Sequence, residues 1–483
     1  MGIWDRTYRE SLAGIAERFA KDAVPRAILG FHTTIDGIKR VVPEEVERVL
    51  SEDPALAERV RARLGATPEE INTAEDLLVA LLDSMSRGKA LQRMIRSEAV
   101  FNWTMGHFGY DRLRIGGTSG NMANLLAPVG FPEILLYVNP LTREQAELLV
   151  PNPNLKVIAR TGRGFTTKHP HDAWTGEGVK ALHWVFEYPK GVRVEAGGIS
   201  VEAPRANRFI AAWNPVNNRL RLVDTFTHGL PSVVDRFSHF IISGFHIVSE
   251  KYPDGSTSED CLKPVAAFIS HIKAIAPHLT LHYEFASIGS AAVRTGVVQH
   301  ILPLVHSLGL NEVELVTLLR DVGEERLGER IETSEDIGDV FEGTRVLAER
   351  LGLPRVHLHN LGYYLCLTRP DYATAAQSLD GLVFAASVAA ARTATGRIES
   401  RSDILRDGLA VPISEAGLEN ASKLGKHLEL PGFEETGIAP AGSSPVTGGF
   451  EVSFVPTRVV AEPVLTVGLG DLISSSAFLL GTG

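Results

Sequence analysis

The chain has 483 residues, a net charge of −10 at neutral pH, 44% hydrophobic and 22% charged residues, and two cysteines. This is a folded globular composition, long enough for two or three domains or for one large α/β domain with an insertion, and it excludes disorder as the dominant state. The acidic balance offers no general means of binding nucleic acid or an anionic membrane, which need clustered Lys and Arg, so neither is expected as a partner.

Cys261 and Cys366 form neither a disulfide framework nor a zinc-ligand pair. The charged N-terminus lacks a signal-peptide core, Arg6 spoils a myristoylation match, and the longest apolar run, residues 382–391, is half a membrane span. A reducing cytoplasm is the expected location. In chain order, apolar residues at helical period predict helices over residues 8–19, 44–64 and 74–82, with Pro43 opening the second and Thr73 capping the third. Short apolar runs at residues 26–31, 133–138, 156–159, 181–186, 240–242, 280–283 and 464–467 read as buried strands, whereas 312–315 suits a strand or a helix start. Helical stretches at 259–274 and 291–308 alternate with them, which predicts a doubly wound, mainly parallel α/β sheet flanked by helices. Residues 181–223, rich in strand formers and turns, predict an inserted antiparallel sheet, and residues 431–463 a loop.

The chemistry concentrates in three short motifs. Gly468, Leu469, Gly470 and Asp471 follow an apolar run and lead into a helix, so unpaired backbone N–H groups would stand beside a carboxylate. That pairing suits a phosphoryl group in transfer with Asp471 as general base; it also suits an ordinary turn with Asp471 as helix cap. Glu284 ends the strand-like His282-Tyr283-Glu284, and Glu314 lies in Asn311-Glu312-Val313-Glu314; carboxylates at strand ends suit Mg²⁺ on a nucleotide or surface ion pairs. No Gly-x-x-x-x-Gly-Lys-Ser/Thr and no His-Arg-Asp loop is present, which excludes a P-loop kinase and a protein kinase.

Together these motifs resemble the GxGD, NxxE and HxE motifs of the ADP-dependent glucokinase and 6-phosphofructokinase family of the ribokinase-like superfamily. The resemblance extends through Arg114-Ile115-Gly116-Gly117-Thr118 and Ala206-Asn207-Arg208-Phe209-Ile210 and covers most of the chain. It implies a ribokinase-like doubly wound domain with a smaller discontinuous α+β lid: residues 1–32, 61–112, 126–178 and 224–483 in the large nucleotide-binding domain, and 33–60, 113–125 and 179–223 in the sugar-binding lid. It implies Asp471 as the base, the backbone of Gly468, Leu469 and Gly470 as an anion hole, and Arg208 on the phosphates. Glu284 and Glu314 would hold Mg²⁺, and Asn311, Tyr363, Tyr364 and Val455 would surround the nucleotide. Asp36, Gly116 and Gly117 would take the sugar.

The acceptor side departs from the family pattern. Thr34 and Thr118 stand where relatives carry amides, and Gln92 resembles the position of a glucokinase Glu. Lys180 resembles the Lys with which phosphofructokinases hold the acceptor's phosphate. The resemblance therefore implies transfer from Mg·ADP to a small-molecule sugar or sugar phosphate, giving AMP, without choosing glucose over fructose 6-phosphate. An ATP-dependent ribokinase-like kinase and a catalytically idle sugar or nucleotide sensor are the alternatives.

Overall fold

The structure, a computed structural model, describes residues 2–465 and 468–482. The chain begins a first sheet with β1 (Ala27–Gly30), then leaves it for a second sheet containing β2 (Thr34–Arg40), β3 (Leu91–Met94) and β4 (Arg112–Gly116). It returns as β5 (Ile134–Leu136), β6 (Leu155–Thr161) and β7 (Gly164–Lys168). A second excursion makes β8 (Leu182–Tyr188), the hairpin β9 (Arg193–Ala196) and β10 (Ile199–Glu202), and β11 (Asn207–Trp213). The first sheet is completed by β12 (His239–Ile242), β13 (Thr280–Glu284), β14 (Ser307–Leu310), β15 (Arg355–His359), β16 (Tyr363–Thr368), β17 (Ile438–Ala439) and β18 (Glu451–Pro456).

The large sheet is ordered β17-β18-β16-β15-β14-β13-β12-β1-β5-β6-β7. Strands β15 through β6 are mutually parallel, with antiparallel strands at both margins. Chain order reverses at β1, between β12 and β5, so the crevice that binds ligands in such sheets lies beyond the carboxyl ends of β1 and β12. Helices Ala375–Thr395 and Leu469–Gly481 are apolar nearly all round and are buried together against one face. Among the described residues, no helix is long and apolar enough to cross a membrane.

The second sheet is ordered β3-β11-β8-β2-β4 and mixes parallel and antiparallel pairs. One face buries Ile35, Leu182, Trp184, Phe186 and Phe209 against helix Ala74–Arg87. Strand alternation puts Asp36, Arg114, His183 and Arg208 on the other face. This corrects the expected division. Residues 61–112 belong mainly with the small sheet, because Leu77, Leu81 and Met85 need its apolar face. Helix Thr118–Val129 instead buries Met122 and Leu126 in the core of the large sheet. The second sheet and the helices packed on it are therefore built from residues 34–116 and 182–213.

Other differences are local. The helix expected over 44–64 is two, Pro43–Glu52 and Pro54–Arg63, because Pro54 cannot continue the first and Asp53 caps the second by accepting from the Leu56 N–H. Residues 312–315 open helix Glu312–Asp321, and the loop expected over 431–463 contains β17 and β18. Of the expected strand 464–467, residues 464–465 are not strand, and Thr466 and Val467 lie outside the described residues.

Candidate active site

Helix Leu469–Gly481 begins at Gly468, whose φ of 75° turns the chain into the helix without a side-chain cap. The first helical N–H groups, those of Leu469, Gly470 and Asp471, have no partner within the helix and mark the anion end of its dipole. Asp471 is in the first turn and does not cap the helix. Its Oδ2 accepts from Asn121 Nδ2 at 3.0 Å, which fixes the carboxylate. Burial pushes its pKa up to about 6, reinforced by Asp36 and opposed by Asn121.

Glu284 is the last residue of β13 and is buried. Burial first, then Glu314, raise its pKa well above the carboxylate range, opposed by the nearby Ser474 hydroxyl and reinforced by Asp471, and its Oε2 is a buried acceptor without a well-formed hydrogen bond. Glu314 has a double duty. It forms a reciprocal cap with Asn311, Glu314 Oε2 accepting from the Asn311 N–H and Asn311 Oδ1 from the Glu314 N–H, both at 3.0 Å, while its Oε1 accepts from Ser287. Burial pushes it up to about 7. His282 lies on the same face of β13, its Nε2 3.8 Å from Glu284 Oε2, but both of its nitrogens are engaged, with Ser307 and Ser474 at 2.9 and 2.8 Å, and it stacks on Phe478. Burial keeps it uncharged, a strut between the sheet and helix Leu469–Gly481.

Across the cleft, Asp36 is buried on β2, its Oδ2 3.3 Å from an Arg114 nitrogen, and burial outweighs Arg114 to push its pKa up to about 6. Gly116, paired with Thr34 on β4 and diagonal to Asp36, leaves the space Asp36 needs: a Cβ there would lie 2.0 Å from Asp36 Oδ1. Gly117 has φ 77°, and a Cβ would meet the His32 carbonyl at 2.6 Å. Thr34 and Thr118 are buried beside these glycines with hydroxyls that have no partner.

Sequence reasoning missed a cluster around them. His32 follows β1 at the switch point, with ring centroids 5.6 Å from His183 and 5.0 Å from His246. Burial depresses all three pKa values, His183 to about 3 and His246 to about 4, so they are uncharged. Nitrogens of all three, the Ser243 hydroxyl and Asn214 Nδ2 are buried without partners. Unmet buried groups cost about 1–3 kcal/mol each, so this many in one place mark a candidate site at which a ligand would supply the missing partners. Only the orphaned state of these histidines signals a site, and that is a tertiary property.

The remaining expectations divide. Tyr363 lines a cavity of about 680 Å³ beyond β14 and β15, with Glu312, Val316, Asn360 and Val459, broad enough for a flat base. Tyr364 and Val455 pair across β16 and β18 and are buried in the opposite core, away from that cavity. Arg208 lies on the lid face with its Nε unpartnered, lining a cavity of about 510 Å³ with Val464 and Leu465, just ahead of the Gly468 turn. Gln92 and Lys180 are exposed, and neither is brought to Asp36 by a recorded contact.

The row Glu314, Glu284, Asp471 and Asp36 thus runs from the cavity at Tyr363 to the cluster of unpartnered polar groups around His32, with the free backbone donors of the helix start beside Asp471 and Arg208 further out on the small sheet. A doubly wound sheet with this site defines a ribokinase-like phosphotransferase. Residues 25–480 match the conserved region of ADP-specific phosphofructokinase/glucokinase. The chain belongs to that family. It is 33% identical over 482 residues to an ADP-dependent glucose/glucosamine kinase of Pyrococcus abyssi, covering 99% of this chain and 98% of that one. The solved structure of a last common ancestor of ADP-dependent phosphofructokinases from Methanosarcinales has a TM-score of 0.85 at 32% identity, covering 100% of this chain and 99% of that one. That of an ADP-dependent kinase in complex with fructose-6-phosphate and ADPbetaS has a TM-score of 0.83 at 30% identity, covering 100% and 98%.

Proposed function

We propose that the chain is an ADP-dependent sugar kinase that transfers the β-phosphoryl group of ADP to a sugar hydroxyl and releases AMP. The observation that carries this is the position of Asp471: in the first turn of a helix with free N–H groups, fixed by Asn121, and within the electrostatic reach of both Glu284 and Asp36.

The base occupies the cavity at Tyr363, and the acceptor lies on Asp36, Gly116 and Gly117. Asp471 takes the proton from the acceptor hydroxyl as its oxygen bonds to the β-phosphorus, and the bond from that phosphorus to the oxygen of AMP breaks. The N–H groups of Leu469, Gly470 and Asp471, with Arg208, hold the charge spread over the transferring oxygens. The donor set fits Mg²⁺. The buried, orphaned Glu284 Oε2 lacks a counter-charge, whereas both Glu314 oxygens are engaged, which suits contact through water. Among the described residues, no three His, Cys, Asp or Glu side chains gather to hold a metal alone, as expected where phosphates complete the shell. Bound there, Mg²⁺ supplies neutralising charge to the phosphates.

The uncharged chamber around His32 and His183 favours an unphosphorylated hexose. Lys180, exposed and without an acidic partner among the described residues, favours a second reading with fructose 6-phosphate as acceptor. Incubating the chain with Mg·ADP or Mg·ATP and glucose, glucosamine or fructose 6-phosphate, and measuring AMP and sugar phosphate, tests both. AMP with stoichiometric sugar phosphate from ADP is the expected result; product from ATP but not ADP, or none from any sugar, would sink the proposal. Asp471→Asn should lower kcat by about 10³-fold and leave ADP affinity within about threefold.

A further inference from the structure

A separate cavity of about 390 Å³ flanks helix Leu469–Gly481 beside β4, its polar wall made by Arg114, Asn121, Asn124 and Arg392, with Gly468 and Leu472 also lining it. Both Asn124 amide atoms are engaged, with the Leu148 carbonyl and the Val150 N–H, and Asn121 holds Asp471. The arginines are not satisfied. Arg114 gives one nitrogen to Asp36, but its Nε is buried with no acceptor. Arg392 stands in the last turn of helix Ala375–Thr395, where an arginine commonly bonds the final carbonyls. It makes no such bond and no ion pair among the described residues, and its Nε is also buried and orphaned. Burial, then Arg114, lower its proton affinity, as expected of two cations sharing one cavity. The one acid on the wall, Glu147, is exposed and lies 3.7 Å from Arg143.

Two guanidiniums facing one polar cavity, each with an unused buried donor, are stable together when an anion sits between them, and their forked donors match the oxygens of a phosphate group. We propose that this cavity is a second anion site, in which Arg114 and Arg392 together bind a phosphate group. The occupant would lie one residue away from each catalytic carboxylate, because Arg114 also holds Asp36 and Asn121 also holds Asp471. The phosphate is either free or carried by a sugar phosphate. The site does not depend on which acceptor the catalytic centre takes.

Thermal melting of the full chain tests it, with Mg·ADP saturating so that the catalytic phosphate positions are filled, and inorganic phosphate titrated against potassium chloride of equal ionic strength. The expected result is a saturable rise in Tm in the wild type, with phosphate affinity at least about tenfold weaker in Arg392→Gln and Arg392→Ala, while the shift caused by Mg·ADP is unchanged. A wild-type response no larger than that to chloride, or an undiminished response in Arg392→Gln, would overturn the proposal. Without nucleotide, loss of the Arg392-dependent shift in fructose 6-phosphate but not in glucose assigns the phosphate to a sugar phosphate; persistence in both assigns it to the free anion. Because Arg392 touches no catalytic group, sugar-kinase turnover without added phosphate should match wild type in Arg392→Gln, so failure here is distinct from failure of the catalytic assignment.

Discussion

Asp471 and Asp36 each ionise only above about 6, which ties activity to pH. A base must be ionised to accept a proton, and the carboxylate of Asp36 must be free to accept from sugar hydroxyls. For the acceptor, kcat/KM should therefore fall as pH drops through about 6, with a logarithmic slope approaching two; a flat profile from pH 8 to 5 would refute the assignment. Stability responds in the opposite sense. A folded carboxyl that binds its proton more tightly than the unfolded value of 3.8 costs stability as pH rises from about 4 through 6. Asp471→Asn should accordingly make the ligand-free chain more stable at pH 8, by about 1–2 kcal/mol in denaturant melts. Gly116→Ala puts a methyl where Asp36 Oδ1 now lies, and should raise the acceptor KM at least about tenfold while leaving that for ADP nearly unchanged. Residues such as Asp471, Glu284 and Gly116 were legible in the sequence because their chemistry depends on a few neighbours in the chain. His32, His183 and His246 were not, because three distant segments must meet before any of them lacks a partner.

At the scale of single elements, β16 shows how alternation decides roles. Tyr363 and Tyr364 are adjacent aromatics in the sequence, yet one faces the base-sized cavity and the other the core beside Val455. Tyr363→Ala should raise the KM for ADP several-fold with little loss of stability. Tyr364→Ala should cost about 3–5 kcal/mol and leave the ADP KM of the folded fraction unchanged; chemical denaturation and steady-state kinetics separate the two. Parallel strands β1, β5, β6, β12 and β13 were legible as apolar runs; β14 overlaps the end of the helical stretch expected over 291–308, and β15 buries the polar Arg355, His357 and His359, so it does not read as apolar. Strands β16 and β18 were not legible either, because antiparallel margin strands lack alternation with helices, and β18 follows a Gly- and Pro-rich stretch. Helix Leu469–Gly481 is similarly placed by distant parts: Arg355 donates to Ser307 at 2.8 Å, Ser307 meets His282, and His282 meets Ser474. This polar chain pins the helix to β13, β14 and β15.

In the whole molecule, two sheets with separate cores meet at one cleft, and the chain crosses between them at residues 30–34, 116–118, 168–182 and 213–239. Simultaneous binding of nucleotide and acceptor should draw the sheets together, so small-angle scattering should give a smaller radius of gyration with both than with either alone; an unchanged radius would mean a rigid cleft. Composition announced the size but not this division, since helices such as Ala74–Arg87 carry an apolar stripe that fits either sheet. The crossings also decide where force is applied. Thr34 and Gly116 pair with each other where the chain enters and leaves the second sheet, beside the proposed acceptor residue Asp36. Arg208 pairs with Glu187, which pairs in turn with Arg40, four residues beyond Asp36 along the strand, or about 13 Å. With the acceptor on Asp36 as proposed, the sugar would sit near the fulcrum of a lever, and a small rotation of the second sheet would be the way to carry the distant arginine toward the phosphates.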